Sequence, residues 1–185
     1  MRHPFEFISA QWRRQLFWMS LVASLALMVL LNLVGAPLIT APAPQGIISY
    51  EFAGSLTQAR AILDSWGPSA QLHAAFSLGL DYVFMLAYSA AIGLGCLWAA
   101  DILRMRSWPL VTVGLPLAWG QWLAAALDAI ENVALTALLF GSLQSPWPEI
   151  ARWCATFKFA LVFVGLIYTF LGLAVSLVAR LAPKG

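Results

Sequence analysis

The sequence predicts an all-α polytopic membrane protein: a four-transmembrane-helix bundle with a short interfacial amphipathic helix between spans 1 and 2. Three observations carry that expectation. Hydrophobic residues make up 62% of the chain and charged residues 10%, whereas soluble domains run at about 25% charged and 45–50% apolar. Several apolar runs exceed the roughly 20 residues that cross a bilayer as a helix. The basic residues gather at alternate ends of those runs, a pattern that membrane topology explains. A net charge of +2 points to no nucleic-acid partner.

The elements follow in order. Residues 1–15 read as a short leader with Arg13 and Arg14 at the membrane edge. Leu16 to Ala36 is the first span, closed by Pro37. Its apolar run is longer than the roughly 7–15 residues of a secretory signal core, so an uncleaved helix is expected. Three prolines and a glycine make Pro37 to Gly46 a non-helical connector. Beyond it, Ala59, Ile62, Leu63 and Trp66 recur at helical spacing, which suggests an amphipathic helix at the interface, ended by Gly67-Pro68. The second span runs from about Ala70 to Ala100 and the third from about Leu110 to Phe140, with Pro116 expected to kink it. The fourth runs from about Ile150 to Ala179. The whole chain, 1–185, reads as one membrane domain with an outer loop over 37–69. Cys96 and Cys154 fall toward opposite ends of the spans and read as small buried residues, too far apart for a disulfide.

Orientation comes from the charges. With both termini cytoplasmic, Arg2, Arg13, Arg14, Arg104, Arg106, Arg180 and Lys184 lie inside, and Arg60 and Arg152 lie outside. That orientation goes with an expected location in a cytoplasmic (bacterial inner) membrane. It also places the intramembrane charges. At 1.5 Å per residue, Asp81 lies about 15 Å from the outer end of span 2, and Lys158 about 12 Å from that of span 4. Asp128 and Glu131 lie about 18 Å and 14 Å from the outer end of span 3. All four converge at one depth in the outer half.

Spacing groups them further. Asp128, Glu131 and Asn132 stand at i, i+3 and i+4 on one helix face. His73, Ser77, Asp81 and Tyr88 form a polar stripe on span 2, and Glu51 could cover the cluster from the outer loop. Three span carboxylates oppose Lys158, so either a carboxyl holds its proton or a cation sits among them. If a metal binds, Asp81, Asp128 and Glu131 are its candidate ligands; oxygen donors suit a hard cation such as Ca²⁺ or Mg²⁺. No other cofactor is implied, since the chain has two histidines and none of the common catalytic signatures. The plainer reading is helix glue, polar contacts worth about 0.6 kcal/mol each in membrane bundles. Ionisable residues at membrane depth favour a functional site instead.

The segments Tyr50-Glu51-Phe52-Ala53-Gly54-Ser55, Leu80-Asp81-Tyr82-Val83-Phe84 with Tyr88-Ser89, Asp128-Ala129-Ile130-Glu131-Asn132, and Lys158-Phe159 resemble a group of small bacterial four-helix membrane proteins that has no assigned activity. The resemblance covers most of the chain from Ile47 onward and implies that these polar residues belong together. Three functions follow as expectations. The first is binding or transport of a cation, proton or small polar ligand, for which a homo-oligomer would help complete a pathway. The second is an enzyme acting on a lipid or apolar substrate. The third is a structural subunit of a membrane complex. The ligand-binding candidates are Asp81, Asp128, Glu131, Asn132, Lys158, Glu51, Tyr88 and His73.

Overall fold

A computed structural model describes residues 3–181. Arg2 and Lys184, counted above in the charge bias, lie outside the described residues, as does the side chain of Arg180. The described chain is helical and without strands. Four helices are long and apolar enough to cross a membrane: α1 (Ala10–Gly35), α4 (Pro68–Met105), α5 (Gly114–Leu139) and α6 (Trp147–Leu181). Two short helices, α2 (Ile47–Glu51) and α3 (Leu56–Ser65), lie between α1 and α4.

Local chemistry sets the helix ends. Pro68 opens α4 at a position whose N–H needs no partner, and its ring presets the helical φ. At the end of α5, Gly141 takes φ 90°. Its N–H reaches Leu138 O, and the Ser142 N–H reaches Ala137 O at 2.9 Å, the paired bonds of a Schellman stop. Ser55 starts α3 by accepting from the Gln58 N–H. Pro116, where a kink is expected, stands near the start of the third long helix. That helix starts at Gly114 after a 3₁₀ turn over Val111–Val113, so Pro116 falls in the first turn, where no hydrogen bond is lost.

Helices α4, α5 and α6 pack mutually, and α1 lies against α4. The trio is therefore the core and α1 a flank, whose buried residues are Ser20 and Ser24. The segment 36–67 folds into a cap over one end of the trio. It turns through Ala36–Leu38, and its apolar side chains Leu38, Tyr50, Ala59, Ile62, Leu63 and Trp66 form one buried cluster with Ala74, Leu78, Ala134, Leu135, Leu138 and Ala151. Burying Ile62 or Leu63 fully is worth about 1.5–3 kcal/mol relative to exposure. Trp66 Nε1 donates to Leu38 O at 2.9 Å and Tyr50 Oη to Leu135 O at 3.1 Å, so the two large rings enter the cluster with their polar atoms satisfied. The apolar face of α3 is thus packed against the ends of the long helices and the rest of the cap. The amphipathic stretch is also two helices, broken where Gly54 takes φ 65°.

At the opposite end, helix α1 begins six residues before the expected span. The leader folds back, and Phe5 is buried against Ala90 and Leu94, with its ring 6.0 Å from that of Trp122.

Candidate functional site

The polar residues of the long helices meet just beneath the cap. Lys158 on α6 is the centre. Its Nζ donates to Asp128 Oδ1 at 2.6 Å and to Glu131 Oε1 at 3.0 Å, and lies 3.8 Å from Glu51 Oε2. Tyr88 Oη donates to Asp128 Oδ2 at 3.0 Å. Asn132 Nδ2 donates to Asp81 Oδ2 at 2.7 Å. The i, i+3, i+4 spacing turns Asp128, Glu131 and Asn132 toward the interior, and the long lysine stem lets α6 reach them. Glu131 is 0% exposed, Asp128 2% and Lys158 6%.

The cap closes this cluster. Glu51 ends α2, and the next ring, Phe52, stacks on Phe159 with centroids 5.9 Å apart. The Phe159 centroid is 5.1 Å from Lys158 Nζ. Gly54 leaves no side chain, and Arg152 packs into that space: a Cβ there would lie 2.6 Å from Arg152 Cδ. Burial pushes the Glu51 carboxyl above its ordinary carboxylate value; Lys158 pulls it down and Asp128 pushes it up.

Not every demand is met inside the cluster. Glu51 Oε2 and Glu131 Oε2 are buried without a hydrogen-bond partner, and the two carboxyl groups stand within hydrogen-bonding reach of each other. Taking charges out of water costs several kcal/mol per ion in real proteins. One ammonium compensates one carboxylate fully, and three carboxyl groups lie within 4 Å of it here, with Asp81 held by Asn132 beyond them.

Of the eight expected ligand-binding residues, seven are brought together: Glu51, Asp81, Tyr88, Asp128, Glu131, Asn132 and Lys158. His73 is engaged elsewhere, with its Nδ1 3.0 Å from Val34 O on α1. The expected metal set Asp81, Asp128 and Glu131 is also revised. Among the described residues no three acids, histidines or cysteines are placed to hold a metal ion. The reason is local: the Lys158 ammonium occupies the point where Asp128 and Glu131 converge, and Asp81 turns to Asn132. Cys154 is half-buried and Cys96 buried, and both are free thiols.

Sequence reasoning missed Gln121. It is fully buried on α5, donates to Leu161 O at 3.0 Å, and leaves its Oε1 without a partner. Ser89 Oγ donates to the Gln121 carbonyl at 2.8 Å. Gln121 stands seven residues before Asp128, two turns along the same face, and that interval was the available signal. With Tyr88 and Ser89 it carries polar groups onward from the cluster toward the uncapped end. The sequence matches no family model, no curated protein and no solved structure.

Proposed function

We propose that the chain is a multi-pass membrane protein whose capped cluster binds a proton, exchanged with the side on which the cap lies. The observation that carries this is the pair of buried, unbonded oxygens, Glu51 Oε2 and Glu131 Oε2, on two carboxyl groups within hydrogen-bonding reach of each other, in a cluster of four carboxyl groups and one ammonium. Like charges at such range do not all ionise, and one proton between the two carboxyls would satisfy both oxygens at once. Depth supports the same reading, since ionisable residues inside apolar helices mark proton and ion pathways. With Arg13, Arg14, Arg104 and Arg106 at the uncapped end, the positive-inside rule puts both termini in the cytoplasm and the cap outside. The interfacial position first expected for α3 then becomes the position of the whole cap, on the outer surface of the bundle.

Infrared spectroscopy of the protein in lipid tests the proposal. Wild-type protein is expected to show a protonated-carboxyl band at neutral pH that Glu131→Gln removes and Asp101→Asn, far along α4, leaves in place. Absence of that band from the wild type overturns the reading. A band displaced by Na⁺ would make the ligand a monovalent cation instead.

A second reading is favoured by one cleft. Between α4 and α5 an apolar cavity of about 330 Å³ is lined by residues that include Leu78, Gly79, Tyr82, Val133 and Thr136, next in sequence to Asp81 and Asn132. An apolar substrate could approach the acids there, with Asp81 or Glu131 as general acid or base. Unchanged lipid turnover after replacement of Asp81, Asp128 and Glu131 together rules this out.

A further inference from the structure

The uncapped end holds a second cavity, unrelated to the acid cluster. It lies between α1 and α4, has a volume of about 500 Å³, and is lined by Ala10, Arg13, Arg14, Phe17, Trp18, Leu94, Leu97, Trp98 and Asp101. That size is within the roughly 300–1,000 Å³ of pockets that hold small ligands. Its chemistry is divided. Arg13 and Arg14 are the fourth and fifth residues of α1, whereas Phe17, Leu94 and Leu97 make an apolar wall. Phe17 meets both indoles, with centroids 5.2 Å from Trp18 and 6.2 Å from Trp98. Trp18 is 55% exposed and Trp98 46%.

Among the described residues no carboxylate lies within ion-pair distance of the Arg13 or Arg14 guanidinium. Asp101, the one acid lining the cavity, is turned to Arg104 at 3.4 Å. Arg13 Nη1 meets His3 Nε2 at 3.1 Å, but Arg13 Nε is buried with no hydrogen-bond partner. A guanidinium is suited to phosphate oxygens, which accept from two of its N–H groups at once. Indoles flanking such a site match the headgroup level of a bilayer, where an apolar ring and a polar N–H are both accommodated.

We infer that this cavity binds the phosphate of an anionic glycerophospholipid, with Arg13 and Arg14 on the phosphate and the Phe17–Leu94–Leu97 wall against the glycerol and upper acyl chain. The inference requires a bilayer but not proton binding, so either can fail without the other.

Native mass spectrometry of detergent-purified protein, titrated with phosphatidylglycerol, phosphatidylcholine or inorganic phosphate, tests it. Phosphatidylglycerol is expected to be retained in preference to phosphatidylcholine. Each basic residue near a membrane surface contributes about fivefold to binding of anionic lipid. Arg14→Gln, at an exposed position where folding is not at stake, is therefore expected to weaken retention about fivefold, and Arg13→Gln with Arg14→Gln about twenty-five-fold. Arg106→Gln removes the same charge at the same end but outside the cavity, and retention is expected to be unchanged. Equal retention of phosphatidylcholine, unaltered binding by Arg14→Gln, or an equal loss in Arg106→Gln overturns the inference. So does displacement of the lipid by inorganic phosphate at equal concentration, which would assign the cavity to a soluble phosphate.

Discussion

The two ends of the helix trio are joined by opposite means. Beneath the cap, α4, α5 and α6 meet through Lys158 and its carboxylates, a network that is costly to desolvate and leaves two oxygens unbonded. Toward the uncapped end the same helices meet through small residues. Gly172 faces Ala99, Gly95 faces Thr169, and Gly114 faces Ala100 and the Cys96 carbonyl. Close backbone approach is the ordinary way for apolar helices to associate where no hydrophobic effect drives them together. It needs nothing from the chain but missing atoms. The two ends thus differ in kind: close backbone contact at one, buried ionic contact at the other.

The comparison can be broken at either end. The largest effect is expected from Lys158→Met, which leaves carboxylates buried without their cation; losing one partner of a buried pair costs about 3–5 kcal/mol. The melting temperature in detergent should fall, and Asp128→Asn with Glu131→Gln added to Lys158→Met should restore most of it. Full stability of the single variant would mean that the charges are not buried together.

Gly172→Ala comes next. A Cβ at this position would collide with Cα and Cβ of Ala99, backbone that cannot turn aside, so overpacking of about 1–3 kcal/mol is expected. The protonated-carboxyl band should survive, because the change touches the small-residue end alone. Gly54→Ala strains a left-handed residue by about 1–2 kcal/mol and displaces Arg152. Faster hydrogen exchange confined to α2 and α3 would report it.

The smallest effect concerns pH. The folded-state value of the Glu51 carboxyl is raised by burial. Between its ordinary value and that raised one, the folded chain keeps a proton that the unfolded chain has released. Its contribution to stability is therefore full at low pH and is lost as pH rises through that window. Glu51→Gln should flatten this part of the melting curve against pH, and an unchanged curve would detach Glu51 from the cluster.

How much was legible varied with how local the signal was. Asp128, Glu131 and Asn132 were found from one helix and its period. Asp81 and Lys158 joined them from depth, because a straight helix advances a fixed 1.5 Å per residue. His73 was drawn in by the same stripe. It faces α1 instead, since an i+4 series on a straight helix drifts round the axis and its outer members leave the face that holds the inner ones. Gln121 was passed over because a lone amide in an apolar run carries no charge to mark it.

Some properties follow from the sequence by itself: four long apolar helices, their approximate ends, the proline and glycine stops, and the acids placed at one level. These depend on hydropathy and helical period, which neighbouring residues set. Tertiary structure alone decided that Lys158 sits between Asp128 and Glu131 where a metal had been conceivable, and that the amphipathic stretch folds into a cap. It also decided that Glu51 comes down onto the cluster and that α1 stands aside to leave an arginine-lined cavity. Each of those depends on how helices rotate about their axes and which faces they turn to one another, and packing between distant segments determines that.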